Sequence, residues 1–474
     1  MSYIPVMSQS PVRVFDFDAE YVNVWVYGES IYLGLANKYE SQASSTPKLI
    51  RTTLQGNFET LLTYGEAIDI LPASSPGGAS QHFIEVVAVL EAHDGTVFCS
   101  THYPSSILRK KPGEDWQSVL DTDFKTIYGM STNSRGEIFF TGRHDADYPT
   151  VGEPEKRSIY RSQDGGDTWS EVWTEEADWI YGIACHEDVV IVGAKNAILK
   201  STNHGDSFNK ITVSGDLRTP IRVGNLWVVV RQGSGQFFVS ADEGSTWAQV
   251  ANTFPTRATI AINNFASFGS LLVVSPYTSQ QFAVSQDLGA TWQTVMLPIH
   301  YGRGCGLIGR TAVVGSMVLS DNPFYDKSNN GKLCIVDLSN LPPAPPQKFE
   351  MLSITSLAAG ALSELTECKP LLLNDKAVAV TVEVTYDASA TDGIEVYFYS
   401  SYDNSTYDTE TETVDSVDYQ ANHFAEIVPS FAAGRVSRKT EILNPGARFI
   451  KCRVKNLDGA HAATNIKVTA TMRG

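Results

Sequence analysis

The sequence has little positive charge, little cysteine and no long apolar run. Lysine and arginine total 36 against 53 aspartates and glutamates, so the 474-residue chain carries a net charge of −17. Nucleic-acid binding requires clustered positive charge, and this balance therefore argues against a nucleic-acid partner. No apolar stretch approaches the roughly 18 residues of a membrane-spanning helix. Hydrophobic residues nevertheless make up 42% of the chain, which excludes a wholly disordered protein.

The cysteines are few and widely spaced. The six are Cys99, Cys185, Cys305, Cys334, Cys368 and Cys452. They form no C-x-x-C pair and no Cys/His ligand spacing, which argues against a zinc site and against a dense disulfide framework. We therefore expect buried free thiols, no bound metal and no cofactor.

An eight-residue pattern, S-x-D-x-G-x-T-W, occurs three times in full. Its defining residues are Ser162, Asp164, Gly166, Thr168 and Trp169 in the first copy, Ser240, Asp242, Gly244, Thr246 and Trp247 in the second, and Ser285, Asp287, Gly289, Thr291 and Trp292 in the third. A fourth segment, 201–208, keeps every position by chemical type, and fainter copies lie at 109–116 and 52–58. Successive copies start 57, 53, 39, 39 and 45 residues apart. These steps match one four-stranded propeller blade.

The residues of the repeat are those of a tight turn. Aspartate caps backbone N–H groups, glycine supplies a positive φ, the hydroxyls bond locally, and tryptophan covers the hairpin. The pattern resembles the Asp box, or BNR repeat, of sialidases, sortilin-type receptors, xyloglucanases and photosystem-assembly propellers. That resemblance implies a turn between the third and fourth strands of a blade, away from the central site.

Strand-like segments around the repeats fall into seven groups of four. The groups span about 21–63, 83–120, 126–173, 180–213, 219–250, 258–296 and 303–337. The segment 11–17 adds an N-terminal strand that helps to close the ring, which would leave no long open sheet edge. The sequence thus predicts an all-β protein with a seven-bladed β-propeller over residues 1–340. Six blades with an accessory sheet is the alternative.

The prolines at 342, 343, 345 and 346 interrupt the pattern and predict a linker over 341–349. Beyond it, alternating apolar residues at 378–385, 394–399, 449–455 and 465–471 have the period of half-buried strands. We therefore expect an antiparallel β-sandwich over 350–474. Its segments 393–408 and 447–458 resemble small sandwich domains of tailed-phage structural proteins. They also resemble the sequences of carbohydrate-binding sandwich domains.

The starts of the innermost strands predict a ligand site at one mouth of the central channel, where propellers commonly bind. Tyr128, Tyr181 and Tyr301 each begin such a strand and are each followed by glycine, and Arg222 and Arg303 lie in neighbouring registers. Tyrosine rings and arginine forks could hold a sugar or an acidic peptide. The alternative is that Tyr-Gly is a packing feature, in which glycine lets strands approach closely at the axis.

Three weaker signals have ordinary alternatives. Tyr128 and Glu137 could supply the tyrosine and glutamate of a sialidase, although a tyrosine-rich propeller offers such a pair by chance. Residues 143–149 contain a histidine and two aspartates, which are residue types found in metal sites. The alternative is that this segment is a solvated insertion without a metal. The acidic run 403–418 could bind calcium between sandwich loops. The alternative is that it forms a solvent-exposed loop that binds no metal, which is more common for such runs.

Two functional hypotheses of different class remain. The preferred one is a non-enzymatic structural or attachment component of a phage virion, with no catalytic residues. Its expected partners are other virion proteins and a host-surface glycan or protein, in a symmetric assembly without nucleic acid or membrane insertion. The N-terminus lacks the features of a signal peptide, so we expect synthesis in a host cytoplasm. The alternative is a glycan-directed protein, either lectin-like or a sialidase-like hydrolase, that uses the channel mouth.

Overall fold

A computed structural model gives the structure of the chain. It describes residues 12–36, 46–71, 85–102, 105–121, 126–144, 156–175, 179–253, 265–275, 280–299, 301–317, 331–344, 346–373, 376–404, 406–407, 409, 411–414, 417–420 and 422–472. Across these ranges, no helix is long and apolar enough to cross a membrane.

The first part of the chain forms β-strands that group into consecutive antiparallel sheets, the blades. After β1 (Val12–Phe17), blade 1 has β2 (Tyr21–Tyr27), β3 (Ser30–Ala36), β4 (Pro47–Thr52) and β5 (Glu59–Thr63), followed by the helix α1 (Tyr64–Ile70). Blade 2 has β6 (Glu85–Glu91), β7 (Val97–His102), β8 (Ser106–Lys110) and β9 (Gln117–Asp121), and blade 3 has β10 (Thr126–Thr132), β11 (Ile138–His144), β12 (Lys156–Ser162) and β13 (Ser170–Glu175).

Four further blades follow. Blade 4 has β14 (Ile180–His186), β15 (Val189–Ser201) and β16 (Asn209–Asp216), and blade 5 has β17 (Ile221–Val223), β18 (Leu226–Val230), β19 (Gln236–Ser240) and β20 (Ala248–Thr253). Blade 6 has β21 (Phe265–Phe268), β22 (Leu271–Val274), β23 (Gln281–Ser285) and β24 (Gln293–Met296), and blade 7 has β25 (Tyr301–Ile308), β26 (Thr311–Met317) and β27 (Gly331–Asp337).

The innermost strands β2, β6, β10, β14, β17, β21 and β25 contact one another in that order, and β25 returns to β2. The N-terminal strand closes this ring. It pairs with the last propeller strand from Val12 opposite Val336 to Phe17 opposite Gly331, and so becomes the outer strand of blade 7. The predicted all-β seven-bladed propeller is confirmed, with the predicted closing strand.

Blade 4 differs because its second and third strands run together as β15. Asn196 within it has a φ of 56°, and a Cβ on Gly244 would lie 2.7 Å from Ile191 and 3.7 Å from Lys200. An extended strand would hold those two residues about 30 Å apart. The chain therefore turns back on itself at Asn196, which supplies blade 4 with its fourth strand.

The C-terminal part forms two four-stranded antiparallel sheets. Its elements are β28 (Gln347–Leu357), a 3-10 turn (Leu365–Glu367), β29 (Leu371–Leu372), β30 (Val378–Thr385), β31 (Ile394–Ser401), β32 (Thr411–Val414), β33 (Val417–Gln420), β34 (Ala425–Ile427), β35 (Val436–Leu443), β36 (Phe449–Asn456) and β37 (Ala463–Met472). One sheet has the order β28-β37-β30-β35 and the other β29-β36-β31-β34. Their inward side chains, such as Val382 and Phe398, form one buried cluster, which confirms the predicted sandwich.

The sandwich is docked on blades 5 and 6. Leu372 and Phe449 are fully buried in the same hydrophobic cluster as Trp292 of blade 6. Asn252 in β20 accepts from the Leu372 N–H at 2.8 Å and donates to the carbonyl of Ala290 at 2.7 Å. Because these apolar and polar contacts are continuous, the two parts share one interface core.

Candidate functional site

The three full copies of the repeat and the segment 201–208 form the same hydrogen-bonded turn between the third and fourth strands of their blades. In the first copy, Asp164 accepts from the Thr168 N–H at 2.8 Å and from its hydroxyl at 2.5 Å, and the Ser162 hydroxyl accepts from the Gly166 N–H at 2.8 Å. These bonds to the exposed Asp164 hold the pKa of its carboxyl at about 2, well below its usual value. The turns at 240–247 and 285–292 repeat the bonds, and at 201–208 asparagine replaces the aspartate. We call these the repeat turns.

Neighbouring blades are tied together through the repeat turns. Arg161, just before the first turn, donates to the carbonyl of His204 at 2.8 Å and to Asp206 at 2.6 Å in the next turn. Arg109 binds Gly165 and Asp167 in the same way, and Lys200 donates to Ser245 at 2.7 Å. The sequence analysis did not predict these contacts between blades. The basic residues that precede the turns at positions 161 and 200 could have indicated them.

The propeller has two chemically different faces. The mouth face is the end at which the innermost strands begin, and the turn face is the opposite end, where the antiparallel order of each blade places the repeat turns. Tyr128 and Tyr181 lie at the mouth face with ring centroids 6.1 Å apart, and only 9% and 6% of their surfaces are exposed. Burial raises the pKa of Tyr181.

The glycines after these tyrosines are packing residues. A Cβ on Gly182 would lie 1.8 Å from the Thr219 hydroxyl, and one on Gly129 would lie 3.4 Å from Gly182. The blades are therefore as close at the axis as the packing interpretation of Tyr-Gly expects. The rings are largely covered, so they offer little open face to a stacked sugar.

Three arginines surround the aromatic residues between blades 3 and 5. The guanidinium carbons of Arg143 and Arg157 lie 3.9 and 4.5 Å from the ring centroid of Trp179, and that of Arg218 lies 4.1 Å from the ring of Tyr181. We call these five residues the arginine–aromatic cluster. Its arginines and tryptophan were not among the sequence-predicted site residues, because Arg157 lies in a third strand and the rest in loops or strand ends with no repeated register.

Arg303 belongs to a second charged group, between blades 7, 1 and 2. Its guanidinium pairs with Glu85 and donates to the Asn23 side chain at 2.8 Å, and Asn23 also donates to Glu85 at 3.1 Å. His102 lies 3.8 Å from the same carboxylate and contacts the Thr126 hydroxyl at 3.2 Å. Burial would raise the pKa of Glu85, but the Arg303 charge and the hydrogen bonds lower it to about 2. This network joins four blades across the mouth face.

The structure does not bring all five predicted mouth residues together. Tyr301 begins β25 opposite Met317, in the blade of Arg303. Arg222 lies elsewhere, because it pairs with Glu243 of the blade 5 repeat turn at 2.6 and 2.8 Å and covers Trp227. Strand β17 has only three residues, so its second residue already reaches the turn face. Arg218, before that strand, takes the place beside Tyr181.

The structure tests one of the three weaker sequence-based interpretations, the sialidase pair, and describes only part of the two acidic segments. Glu137 lies in the turn after β10 and accepts from Gln163 of a repeat turn at 2.8 Å, so it is at the opposite end of blade 3 from Tyr128. The structure thus separates the proposed sialidase pair. In the loop 143–149 only Arg143 and the backbone of His144 are among the described residues, and much of the acidic run 403–418 also lies outside them. Over the described parts of the chain, no cluster of three potential metal ligands occurs.

The cysteines are free thiols in the described structure. All but the partly exposed Cys185 are buried. Cys368 and Cys452 have their sulfur atoms 3.5 Å apart within the sandwich. Burial raises the pKa of Cys99 and Cys305, the latter to about 12, which keeps these thiols protonated and unreactive at neutral pH.

Comparison with known proteins gives the fold and no family. No protein-family model and no curated protein sequence matches the chain. Among solved structures it is similar to selenomethionine-substituted virginiamycin B lyase from Staphylococcus aureus, with a TM-score of 0.51 and 12% identity over 70% of this chain and 100% of that one. It also matches YCF48 bound to D1 peptide, with a TM-score of 0.45 and 14% identity over 72% and 100% of the two chains. The first likeness supports the propeller fold alone.

Proposed function

We propose that this chain is a non-enzymatic structural or attachment component of a larger particle, of the kind found in phage virions. The docking of the sandwich carries the proposal. Leu372 and Phe449 extend a propeller core cluster, and Lys376 and Arg448 reach propeller side chains. A shared apolar core fixes two domains as a rigid unit better than a flexible tether does. Such a unit suits a fixed place in an assembly.

The orientation of the docking supports the same role. Lys376 binds Asp287 in a repeat turn, and Arg448 donates to Asn225 at 2.5 Å in the turn after β17. Both propeller residues lie on the turn face, opposite to the arginine–aromatic cluster. The sandwich would anchor the protein, and the mouth face would meet the next partner.

The repeat turns support a resemblance to Asp-box propellers at the level of local structure. Their shared bonds, positive-φ glycines and tryptophan covers are the properties that the motif implies. The proposal assigns the turns a structural role, because their polar groups are used in holding the hairpins and in tethering neighbouring blades. The sandwich segments 393–408 and 447–458 carry the resemblance to tailed-phage proteins.

Particle composition tests this role. Phage particles are collected from the bacterial strain that produces this protein and are purified by density-gradient centrifugation. Antibodies against the protein should label these particles at one fixed position on each particle. The protein should remain on the particles through gradient purification. Recovery of the chain only in the soluble fraction, with unlabelled particles, would contradict the proposal.

A further inference from the structure

Two of the cysteines lie against each other inside the sandwich. The sulfur atoms of Cys368 and Cys452 are 3.5 Å apart, and the Cys452 N–H donates to the Cys368 sulfur at 3.2 Å. Cys368 follows the 3-10 turn, Cys452 lies in β36, and both side chains are buried. Because 84 residues separate the pair in sequence, it is the folded sandwich that brings the two thiols together.

Backbone contacts on both sides of Cys368 hold it against β36. Before it, the Ser363 N–H donates to the carbonyl of Val454 at 2.8 Å. After it, Leu371 pairs with Ile450. In β36 these two contacts lie two positions to either side of the partner cysteine. The fold therefore imposes the close approach of the two sulfur atoms.

Two buried cysteines of the propeller show the contrast. Cys305 and Cys334 both belong to blade 7, but Val314 of the strand between them pairs with each. Neighbouring strands lie about 4.8 Å apart, so the Cα atoms of these cysteines are separated by about 10 Å. A disulfide needs Cα atoms within about 7 Å. Cys305 and Cys334 are therefore too far apart to be joined.

The two thiols of the sandwich differ in acidity. Burial would raise the pKa of Cys368, but hydrogen bonds from the thiol and the N–H of Cys452, with the charge of Lys451, lower it. The hydrogen bond to Cys368 and burial together raise the pKa of Cys452. Cys368 is therefore the better thiolate, and Cys452 is the second thiol beside it that can complete a disulfide.

Cys368 lies in a surface segment. Its neighbours Glu367 and Lys369 are both exposed, and the 3-10 turn before it has only three residues. Short segments of this kind open locally without global unfolding. Both thiols are also open to solvent while the chain folds. A small oxidant therefore reaches the sulfur during folding or local opening.

We propose that Cys368 and Cys452 form an intramolecular disulfide when the chain meets a low-molecular-weight disulfide such as oxidised glutathione. The Cys368 thiolate attacks one sulfur of the oxidant, whose S–S bond breaks and releases one thiolate. Cys452 then attacks the Cys368 sulfur, the mixed disulfide breaks, and the second thiolate leaves. The protons of the two protein thiols pass to the two released thiolates, so one oxidant disulfide is reduced for each protein disulfide formed.

The disulfide locks the part of the sandwich that docks on the propeller. The carbonyl of Pro370, two residues after Cys368, accepts from the Ala251 N–H of blade 5 at 2.9 Å, and Leu372 follows it. The second docking residue, Phe449, lies in β36. The cross-link joins these two docking segments and closes a long loop, which restricts the unfolded chain. This covalent modification does not depend on the proposed place in a particle.

Thiol counting tests the cross-link. The full chain is refolded from urea with oxidised or with reduced glutathione, quenched in acid, unfolded, and labelled with a polyethylene-glycol maleimide that changes its gel mobility once per free thiol. The oxidised native chain should carry two labels fewer than the reduced chain. Mass spectrometry of its proteolytic peptides should show Cys368 linked to Cys452. Its urea midpoint should be higher than that of the reduced chain.

Single-cysteine variants make the count specific. Cys368→Ser and Cys452→Ala should each carry the same number of labels in both conditions, with no rise in urea midpoint on oxidation. Cys305→Ser is the matched control, because it removes a buried thiol that lies outside the pair, and it should still lose two labels. If neither pair variant folds, the linkage found in the native chain decides the question.

Three results would overturn the proposal. One is an equal label count in the oxidised and reduced native chain. Another is a linkage between other cysteines, or glutathione attached to Cys368 with no link to Cys452. The third is an oxidised chain whose urea midpoint equals that of the reduced chain, which would show that the cross-link does not lock the docking segments.

Discussion

Lys376 of the sandwich donates a hydrogen bond from Nζ to Oδ2 of Asp287 at a distance of 2.7 Å. Asp287 is the aspartate of the blade 6 repeat turn, and the same carboxylate also accepts from the N–H and hydroxyl of Thr291. One side chain therefore serves both the turn and the domain interface. In the first copy of the repeat the corresponding aspartate, Asp164, is exposed. The sandwich thus uses a pre-formed anionic turn as its docking point.

Lys376→Met should weaken the interface and leave the turn intact. Asp287 is buried and Lys376 is about one third exposed, so we expect a loss of about 1–2 kcal/mol after allowing for solvent screening. Limited proteolysis between 338 and 346 should become faster, because the domains separate more often. Lys348→Met is the control, since that lysine is exposed on β28. Equal proteolysis rates in the two variants would contradict the assigned role.

The glycine of a repeat turn is required for two separable reasons. Gly166 has a φ of 87°, and a Cβ there would lie 2.5 Å from the ring of Phe98 in the preceding blade. Its neighbour Gly165 has a φ of 70° with no atom within 4 Å of that position. At the position of Gly165 the other turns hold His204, Glu243 and Leu288, all with positive φ. Only the second glycine of the pair is therefore constrained by the blade behind it.

Gly165→Ala and Gly166→Ala form a matched pair for urea denaturation. We expect Gly165→Ala to cost about 1–2 kcal/mol, the strain of a left-handed alanine. Gly166→Ala should cost about 1–3 kcal/mol more, because Phe98 has to move. Equal free energies of unfolding for the two variants would show that the close approach of the blades is unimportant.

The sequence predicted the elements that have a repeated or periodic pattern, but it did not predict the helix or the arginine–aromatic cluster, which have none. The turns at 162–169, 240–247 and 285–292 set the blade spacing, and the alternation at 378–385 gave the sandwich strand over Val378–Thr385. The helix α1 was missed because its capping box, Thr63 with Glu66, lies in a short segment without helical periodicity. The arginine–aromatic cluster was missed because it joins single residues from different connections. Arg222 was misplaced because strand length, which the sequence leaves open, decides the face that it reaches.

The Glu85 network predicts a specific loss of stability in acid. The pKa of Glu85 is lowered from 4.5 to about 2 in the folded chain. Below pH 4.5 the unfolded chain takes up this proton first, so stability is present above that pH and is lost as the pH falls toward 2. Glu85→Gln leaves Arg303 without its carboxylate and should cost about 3–5 kcal/mol at pH 7.

The free energies of unfolding of the native chain and Glu85→Gln should therefore converge between pH 4.5 and 2, as measured by urea titration at each pH. Glu59→Gln is the control, because Glu59 is more than half exposed where it pairs with Arg51. It should change stability by less than about 1 kcal/mol. A gap that stays constant down to pH 2 would mean that Glu85 is not ionised through its contacts with Arg303 and Asn23.

Substitution of Lys48 is expected to stabilise the fold, whereas substitution of Glu85 destabilises it, and the effect of Lys48 changes with pH on the alkaline side. Its side chain is fully buried, its Nζ has no hydrogen-bond partner in the described part of the chain, and the ring of Tyr64 lies 5.6 Å away. Burial lowers the pKa of Lys48 from 10.5 to about 8, against the attraction of Glu85. At pH 7 the folded chain therefore holds a poorly solvated ammonium group, and Lys48→Met should raise the free energy of unfolding by about 1–3 kcal/mol.

The sign of the pH dependence makes this prediction specific. Between pH 8 and 10.5 the unfolded chain binds more protons at Lys48 than the folded chain, so the native protein gains stability as the pH rises through this window. The advantage of Lys48→Met should be constant below pH 8 and should shrink above it, as followed by thermal melts from pH 6.5 to 10.5. Lys348→Met should show no such convergence, because its side chain is in solvent in both states. If Lys48→Met is less stable than the native chain at pH 7, the ammonium group stabilises the fold through Glu85 and its burial is not a net cost.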